Sequence, residues 1–582
     1  MLRSCVMGMA AAAALWAQSA DLVVHSAKVV TVDAGFRVAQ AFAVRGDRVV
    51  AVGTNAAMLR MAGPKTERVD AGGRVVLPGL ADTHVHAGSA ALYEFDHTVP
   101  DMETVEDVLH YVGERAKVVP EGAWIRVSQV FITRLRDQRF PTRAELDRVA
   151  PKHPVYFSTG PDASLNSLAL QLSGIGDDFQ VTDGRPCRLE RDSAGKLTGI
   201  IRSCGRFVKY KPSVNTPSAE DRRARLKLLL ADYNAIGITS IADRDTDDGE
   251  VEVYRQLYER GELSCRVFMN LSVDAQEPLE VIEARLKKAA ADPLHAYNNR
   301  LWLRGIKMYL DGGMLTGSAF MIEPWGVSKV YSIEDPNYKG MRYIPAEKLY
   351  PIVRAAMRLN LQPTAHSVGD GAVRALVEAY ERVDANDFKV RSQRPCVTHS
   401  NFMTPEAIDT MKRIGAVADL QPAWLWLDGA TLKKQFGDAR LSYFQPYKTL
   451  FEKGVPVGGG SDHMQKIGSM RSINPYNPFL GMWITLTRRP RWMEGALHPE
   501  QIITREQAIR FYTMNNAFLT FEEKEKGSIE KGKLADFIVL DRDILTCPVD
   551  DIKDTRVLGT YVGGRQVYSA ESFRKKATPA VK

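Results

Sequence analysis

Over residues 21–75 apolar and polar positions alternate, with Gly and Asp turns between the runs Leu22-Val-Val-His-Ser-Ala-Lys-Val-Val-Thr-Val and Ala41-Phe-Ala-Val-Arg-Gly-Asp-Arg-Val-Val-Ala-Val. A period of two predicts short antiparallel strands. The same texture returns only near the end, in Gly527-Ser-Ile-Glu-Lys-Gly-Lys-Leu-Ala-Asp-Phe-Ile-Val-Leu-Asp541 and Arg556-Val-Leu-Gly-Thr-Tyr-Val-Gly-Gly-Arg-Gln-Val-Tyr568. The two ends are therefore expected to complete one small β-sandwich. Between them the pattern becomes apolar strand, polar loop, amphipathic helix. It recurs at 237–243, 264–271, 301–311, 361–366, 395–399, 415–420 and 455–462. With the strand carrying His84 that makes eight, and eight strands alternating with helices predict an α/β fold, a (β/α)₈ TIM-like barrel. A long insertion at about 93–217 separates the first two strands and falls on the side where barrel sites form, as a lid would.

The expected division is a leader over 1–20, sandwich over 21–75 and 521–570, barrel over 76–520, and a loose tail over 571–582. A chain of 582 residues suits a large barrel plus a smaller unit. Hydrophobic content of 45% with 25% charged residues excludes a disordered chain. The net charge of +7 is dispersed, and basic clusters such as Arg222-Arg223-Ala-Arg225 lack aromatics, which argues against nucleic acid. Met1-Leu-Arg3 followed by an alanine-rich apolar stretch and small residues at 17–20 reads as a secretory leader, too short to span a bilayer. The expected location is periplasmic or secreted. Removing Cys5 with the leader leaves Cys187, Cys204, Cys265, Cys396 and Cys547. Cys187 and Cys204 flank a predicted hairpin and could pair in an oxidising compartment; spacing alone leaves buried free thiols as the alternative.

The candidate chemistry starts at Leu77-Pro-Gly-Leu-Ala-Asp-Thr-His-Val-His-Ala-Gly88. On a strand His84 and His86 project to one side, with Asp82 on the same face, and paired neutral imidazoles suit a divalent ion. The C-terminal strand ends of a parallel barrel share one mouth. That rule adds Lys307 from strand four, His366 from five, His399 from six and Asp462 from eight. Singly, each has a plain structural explanation: a core histidine, a paired lysine, a helix cap. Six at strand ends of one barrel are hard to ascribe to chance.

With these motifs the chain resembles the metal-dependent amidohydrolase superfamily, in the branch that includes N-substituted formamide deformylases. The carriers are Pro78-Gly-Leu-Ala-Asp-Thr-His84-Val-His86, Ile306-Lys307-Met-Tyr-Leu-Asp311-Gly, Ala365-His366-Ser-Val-Gly369-Asp370-Gly-Ala, Val397-Thr-His399, Gly460-Ser-Asp462 and the closing Gly527 to Asp536 segment. The resemblance implies two divalent metals, zinc foremost. His84, His86 and Asp462 would hold one, His366 and His399 the other, and a CO₂-derived carbamate on Lys307 would bridge them. It further implies hydrolysis of an amide or related C–N bond by a metal-bridging hydroxide, with Asp462 as the proton shuttle. Asp311, Trp325, Gln421 and Trp424 are the expected substrate contacts.

Two stretches depart from the branch. Asp311-Gly-Gly-Met-Leu-Thr-Gly317-Ser replaces the usual Asp-Gly-Ser-Leu-Gly-Ser-Arg, and Thr159-Gly-Pro-Asp162-Ala-Ser-Leu-Asn166 lacks a common histidine. Substrate identity therefore does not carry over. The alternatives are a one-metal, deaminase-type enzyme with Lys307 unmodified, or a binding protein that kept the barrel without its chemistry. The expected partner is a small-molecule substrate, with no nucleic acid and no membrane once the leader is cleaved; a homodimer is left open.

Overall fold

The computed structural model describes residues 19–574, apart from 161, 213 and 214. The leader expected over 1–20 lies outside the described residues except for its last two, and so does most of the tail.

Eight parallel strands form the barrel: Leu80–Val85, Ile238–Thr246, Arg266–Ser272, Leu301–Tyr309, Gln362–Ser367, Cys396–His399, Val417–Leu420 and Val457–Gly459, numbered one to eight in that order. Each pairs with its neighbours in sequence order. A parallel bridge from Val85 to His463 joins the last strand to the first. The strands are buried along nearly their whole length because helices cover them outside and side chains fill them inside, hence their continuous apolar runs. The intervening helices start at local signals. Ser218 with Asp221 and Asp247 with Glu250 make reciprocal capping boxes before strands two and three.

Both chain ends build two further sheets. One has the order Arg48–Gly53, Ala41–Arg45, Ala20–His25, Ala62–Asp70; the other has Arg565–Ser569, Val557–Val562, Phe537–Leu540, Val75–Pro78, Lys28–Val30, Val38–Ala39. Phe42 from the first meets Phe537 from the second edge-on, with ring centroids 4.9 Å apart, inside a shared core with Leu22, Val24, Val44 and Val539. This is the sandwich. Not all its pairings are antiparallel, as the alternation alone suggested. Ala20–His25 runs parallel to Ala62–Asp70, and Lys28–Val30 runs parallel to Val75–Pro78. Four strands and a short helix intervene in the first case, and that connection is long enough to carry the chain back to the starting end. The sandwich is fastened to the barrel by a buried fork from Arg266 to Asp536, at 2.6 and 2.8 Å.

The insertion between strands one and two contains a five-stranded sheet ordered Arg188–Arg191, Leu197–Arg202, Asp162–Leu165, Val155–Thr159, Ile125–Ser128. A Cys187–Cys204 disulfide clips the base of its hairpin. No helix among the described residues is long and apolar enough to cross a membrane.

Candidate metal centre

His84 lies within strand one, and His86 follows it directly, ahead of the helix Ala87–Leu92. Asp462 arrives from strand eight and is locked to strand one, its N–H donating to the His84 carbonyl at 2.8 Å. Its Oδ1 stands 3.4 Å from His84 Nε2 and 3.1 Å from His86 Nε2, so the donor atoms of the three residues lie within 4.8 Å of one another. That approach needs Gly460. A Cβ there would stand 1.7 Å from Asp82 Oδ1, the carboxylate that receives the His84 and Ser461 N–H groups and ties strands one and eight.

The other rings continue the cluster. His84 and His399 have centroids 4.8 Å apart, and His399 and His366 are 4.4 Å apart. Lys307 is 1% exposed. The residues that the motifs single out thus converge: His86, Lys307, His366, His399 and Asp462 share the floor of one cavity of about 700 Å³, with His84 immediately behind. Its walls include Gln129, Phe131, Arg185 and Arg206 of the insertion.

Side chains outside the cluster set its orientation. His84 Nδ1 bonds Asp419 Oδ2 at 3.1 Å, and His399 Nδ1 bonds Gln421 Oε1 at 2.7 Å. Each bond directs the opposite nitrogen, Nε2, at the centre, as outer carboxylates and amides do around metal-binding histidines. Asp419 also accepts from Thr83 at 3.0 Å and lies 3.6 Å from Arg244. The backbone is strained here: Asp245, His399, Ser400 and Asp462 have φ of 82°, 73°, 46° and 57°, in the left-handed region that non-glycine residues avoid.

Burial sets the charge states. It drives the His84 and His399 imidazoles well below their usual range, with neighbouring Lys307 and histidine charges adding to it. It brings His366 down to about 3, again helped by Lys307. For His86 burial pulls the same way, but Asp462 outweighs it and the net shift is upward. Burial also lowers the Lys307 ammonium, against the pull of Asp245 and Asp462. Neutral imidazoles are the ligand form.

Two buried nitrogens in this cluster, His84 Nε2 and Lys307 Nζ, have no hydrogen-bond partner. Buried polar atoms are usually satisfied, and these two lie close enough for the Lys307 charge to act on His84. An imidazole nitrogen and an amine beside a carboxylate fit divalent-ion binding.

The expected substrate contacts fare unevenly. Trp424 lines the cavity and stacks on His399, with centroids 4.6 Å apart. Trp325 does not reach it. Its indole is buried between Tyr331 and Phe436 and donates to the Ala319 carbonyl, because the loop after strand four folds back on itself. Gln421 is spent on His399 and Asp419 rather than on the cavity. Asp311 borders the cavity, but its two oxygens take the N–H groups of Phe320, Val368 and Gly369, joining the loops after strands four and five. Its carboxyl is pushed up to about 7 by burial. Asp419 was absent from the sequence candidates, although an aspartate inside the buried run 417–420 was a signal. Asn474, which donates to Asp462 Oδ2 at 3.3 Å, left no signal in the sequence.

The barrel and its histidine cluster fit the chemistry of a metal-dependent hydrolase. Residues 67–568 match the amidohydrolase family, and the chain belongs to it. Over 566 residues it is 28% identical to an N-substituted formamide deformylase of Arthrobacter pascens, covering 94% of this chain and 98% of that one. It is 25% identical over 571 residues to the Arabidopsis thaliana protein LONG AFTER FAR-RED 3, covering 94% and 92%. An uncharacterized metal-dependent hydrolase from Pyrococcus horikoshii shares the fold with a TM-score of 0.65 at 19% identity, covering 91% of this chain and 99% of that one. The protein is an enzyme that hydrolyses carbon–nitrogen bonds.

Proposed function

We propose that the protein is an exported binuclear zinc hydrolase that cleaves the C–N bond of a small amide, with N-substituted formamides the first class to test. The observation that carries this reading is the pair of orphaned buried nitrogens, His84 Nε2 and Lys307 Nζ, beside three further histidines and Asp462. His84, His86 and Asp462 would hold one ion, His366 and His399 the other, and Lys307 both, as a carbamate. Burial favours the neutral Lys307 amine, the form that adds CO₂. The carbamate replaces a cation with an anion offering two oxygens. Bound divalent ions would supply Lewis acidity and a water acidic enough to ionise near neutral pH.

The chain's own groups do the rest. Asp462 takes the proton of the attacking water and delivers it to the leaving nitrogen. Asn474 holds the Asp462 Oδ2 atom, and the His84 carbonyl holds its backbone, so the carboxylate is aimed before substrate arrives. Phe131, Leu315, Trp424 and Met464 give the cavity an apolar wall for the N-substituent. Assay of metal-loaded protein on N-substituted formamides, acetamides and cyclic amides, before and after chelation, tests the reading. Turnover lost to a chelator and restored by Zn²⁺ is expected. Protein that binds no metal, or whose hydrolysis ignores the chelator, would overturn it.

A one-metal, deaminase-type reading is favoured by the compactness of His84, His86 and Asp462, which satisfy one ion without Lys307. One metal equivalent per chain in active protein selects it; two select the binuclear reading. Export to the periplasm or beyond is supported by the Cys187–Cys204 disulfide, since such bonds persist in oxidising compartments. The mass and N-terminal residue of protein recovered from a secreting host test that part.

A further inference from the structure

Strand two carries a bulge near its C-terminal end, where its register against strand three slips between Arg244 and Thr246. The extra residue is Asp245, in the left-handed region with φ of 82°. Bulges beside active sites re-aim side chains, and a strained non-glycine backbone there calls for a functional reason. Asp245 borders the cavity together with Lys307 and His86. One of its oxygens, Oδ2, accepts from the Tyr309 hydroxyl at 2.7 Å. The other, Oδ1, is buried without a hydrogen-bond partner.

Tyr309 stands two residues beyond Lys307, on the same side of strand four, and is 41% exposed, into the cavity. Its ring tilts against His366 at 5.5 Å between centroids, and Lys307 Nζ lies 5.1 Å from the ring centre. The phenol therefore pins the Asp245 carboxylate at the edge of the reacting floor: Oδ1 is closed off from the cavity, whereas Oδ2, which meets Tyr309 on the exposed side, keeps a lone pair for a second donor. An ionised carboxylate takes only donors. Of the reacting groups of an amide, the carbonyl oxygen is an acceptor, and the nitrogen-bound hydrogen is the donor.

We propose that Asp245, positioned by Tyr309, accepts a hydrogen bond from the N–H of the scissile amide, so that the enzyme selects amides bearing an N–H over N,N-disubstituted amides and esters. The hydrogen stays on nitrogen throughout. Accepting from it leaves electron density on the leaving nitrogen, which helps that atom take the proton from Asp462. The inference rests on the amide-hydrolase reading above and adds a substrate class to it.

The test compares an N-alkyl amide, its N-methyl analogue and the matching ester, each with wild-type, Asp245→Ala and Tyr309→Phe enzyme. For the N–H amide, Asp245→Ala is expected to lower kcat/KM by roughly tenfold to a hundredfold, the range for losing a hydrogen bond to a charged group. The N-methyl amide and the ester should change little. Tyr309→Phe should show the same selectivity at smaller size. Metal content should match wild type. Equal losses on all three substrates, or loss of metal in Asp245→Ala, overturns the proposal in favour of a general or ligand role. If wild-type enzyme cleaves no amide, the hydrolytic reading fails separately. Calorimetric binding of the N–H and N-methyl amides to wild type and Asp245→Ala then decides this one: an N–H preference lost in the variant supports it, and an unchanged preference ends it.

Discussion

His399 Nδ1 and Gln421 Oε1 are 2.7 Å apart, so the ring donates to the amide oxygen and keeps Nε2 free toward the cluster. Gln421 follows strand seven and is fully buried, and it reaches across to the last residue of strand six. Replacing it by Leu, of similar size, removes the acceptor without emptying the site. Metal affinity should fall roughly tenfold to a hundredfold, the usual cost of losing such a support. Calorimetric titration of Zn²⁺ into apoprotein checks this, and unchanged affinity would remove Gln421 from the assembly.

Asp462 is assigned both a ligand and a proton-carrying role. Asp462→Asn keeps an oxygen for the ion but cannot take a proton. Metal content should stay near wild type while kcat drops roughly 10²–10⁴-fold, the range for general acid–base groups. Parallel metal analysis and steady-state kinetics give the answer.

Lys307→Ala deletes the amine that would carry the carbamate. Activity should vanish, and acetate or propionate should restore a measurable fraction by filling the space with a carboxylate. Rescue scales with carboxylate concentration if the bridge is real. Activity indifferent to the substitution would eliminate it.

His463 gives a pH prediction for apoprotein. Its Nδ1 bonds the Tyr233 hydroxyl at 2.7 Å, and its Nε2 bonds the Gln465 and Lys466 carbonyls, so it is held neutral. Burial lowers it to about 4 from an ordinary 6.5. Between those values the unfolded chain binds the proton and the folded one does not, so stability is complete above about 6.5 and is lost as pH falls toward 4. Denaturant midpoints of apoprotein should decline over that window, and His463→Asn, measured alongside, should decline less.

The Cys187–Cys204 bond sits within the cavity wall, because its neighbours Arg185, Pro186, Ser203, Gly205 and Arg206 all line the cavity. Cys204→Ser should raise KM several-fold while kcat changes little, since the floor residues lie on the barrel. A fall in kcat at constant KM would place the coupling elsewhere. Steady-state kinetics on two substrates of different length would resolve it.

Much of this molecule was legible along the chain. Eight apolar runs between amphipathic stretches defined the barrel, because a strand buried on both faces has only one compositional solution. The six residues now gathered at its mouth were visible because histidines, a lysine and an aspartate at strand ends interrupt that apolar pattern. Local rules sufficed wherever a residue's surroundings come from its own element.

Only the tertiary structure decided which neighbours those residues meet. Sequence proposed Trp325 and Gln421 as substrate contacts, yet the folded loop buries one indole and turns the other side chain onto His399. Asp419, Asn474 and the Asp245–Tyr309 pair act through partners 335, 12 and 64 residues away along the chain. Parallel pairing in the sandwich likewise depends on how the chain returns. Hydrophobic period determines an element's face, whereas hydrogen bonding across elements depends on register and closure, which exist only once the whole barrel is assembled.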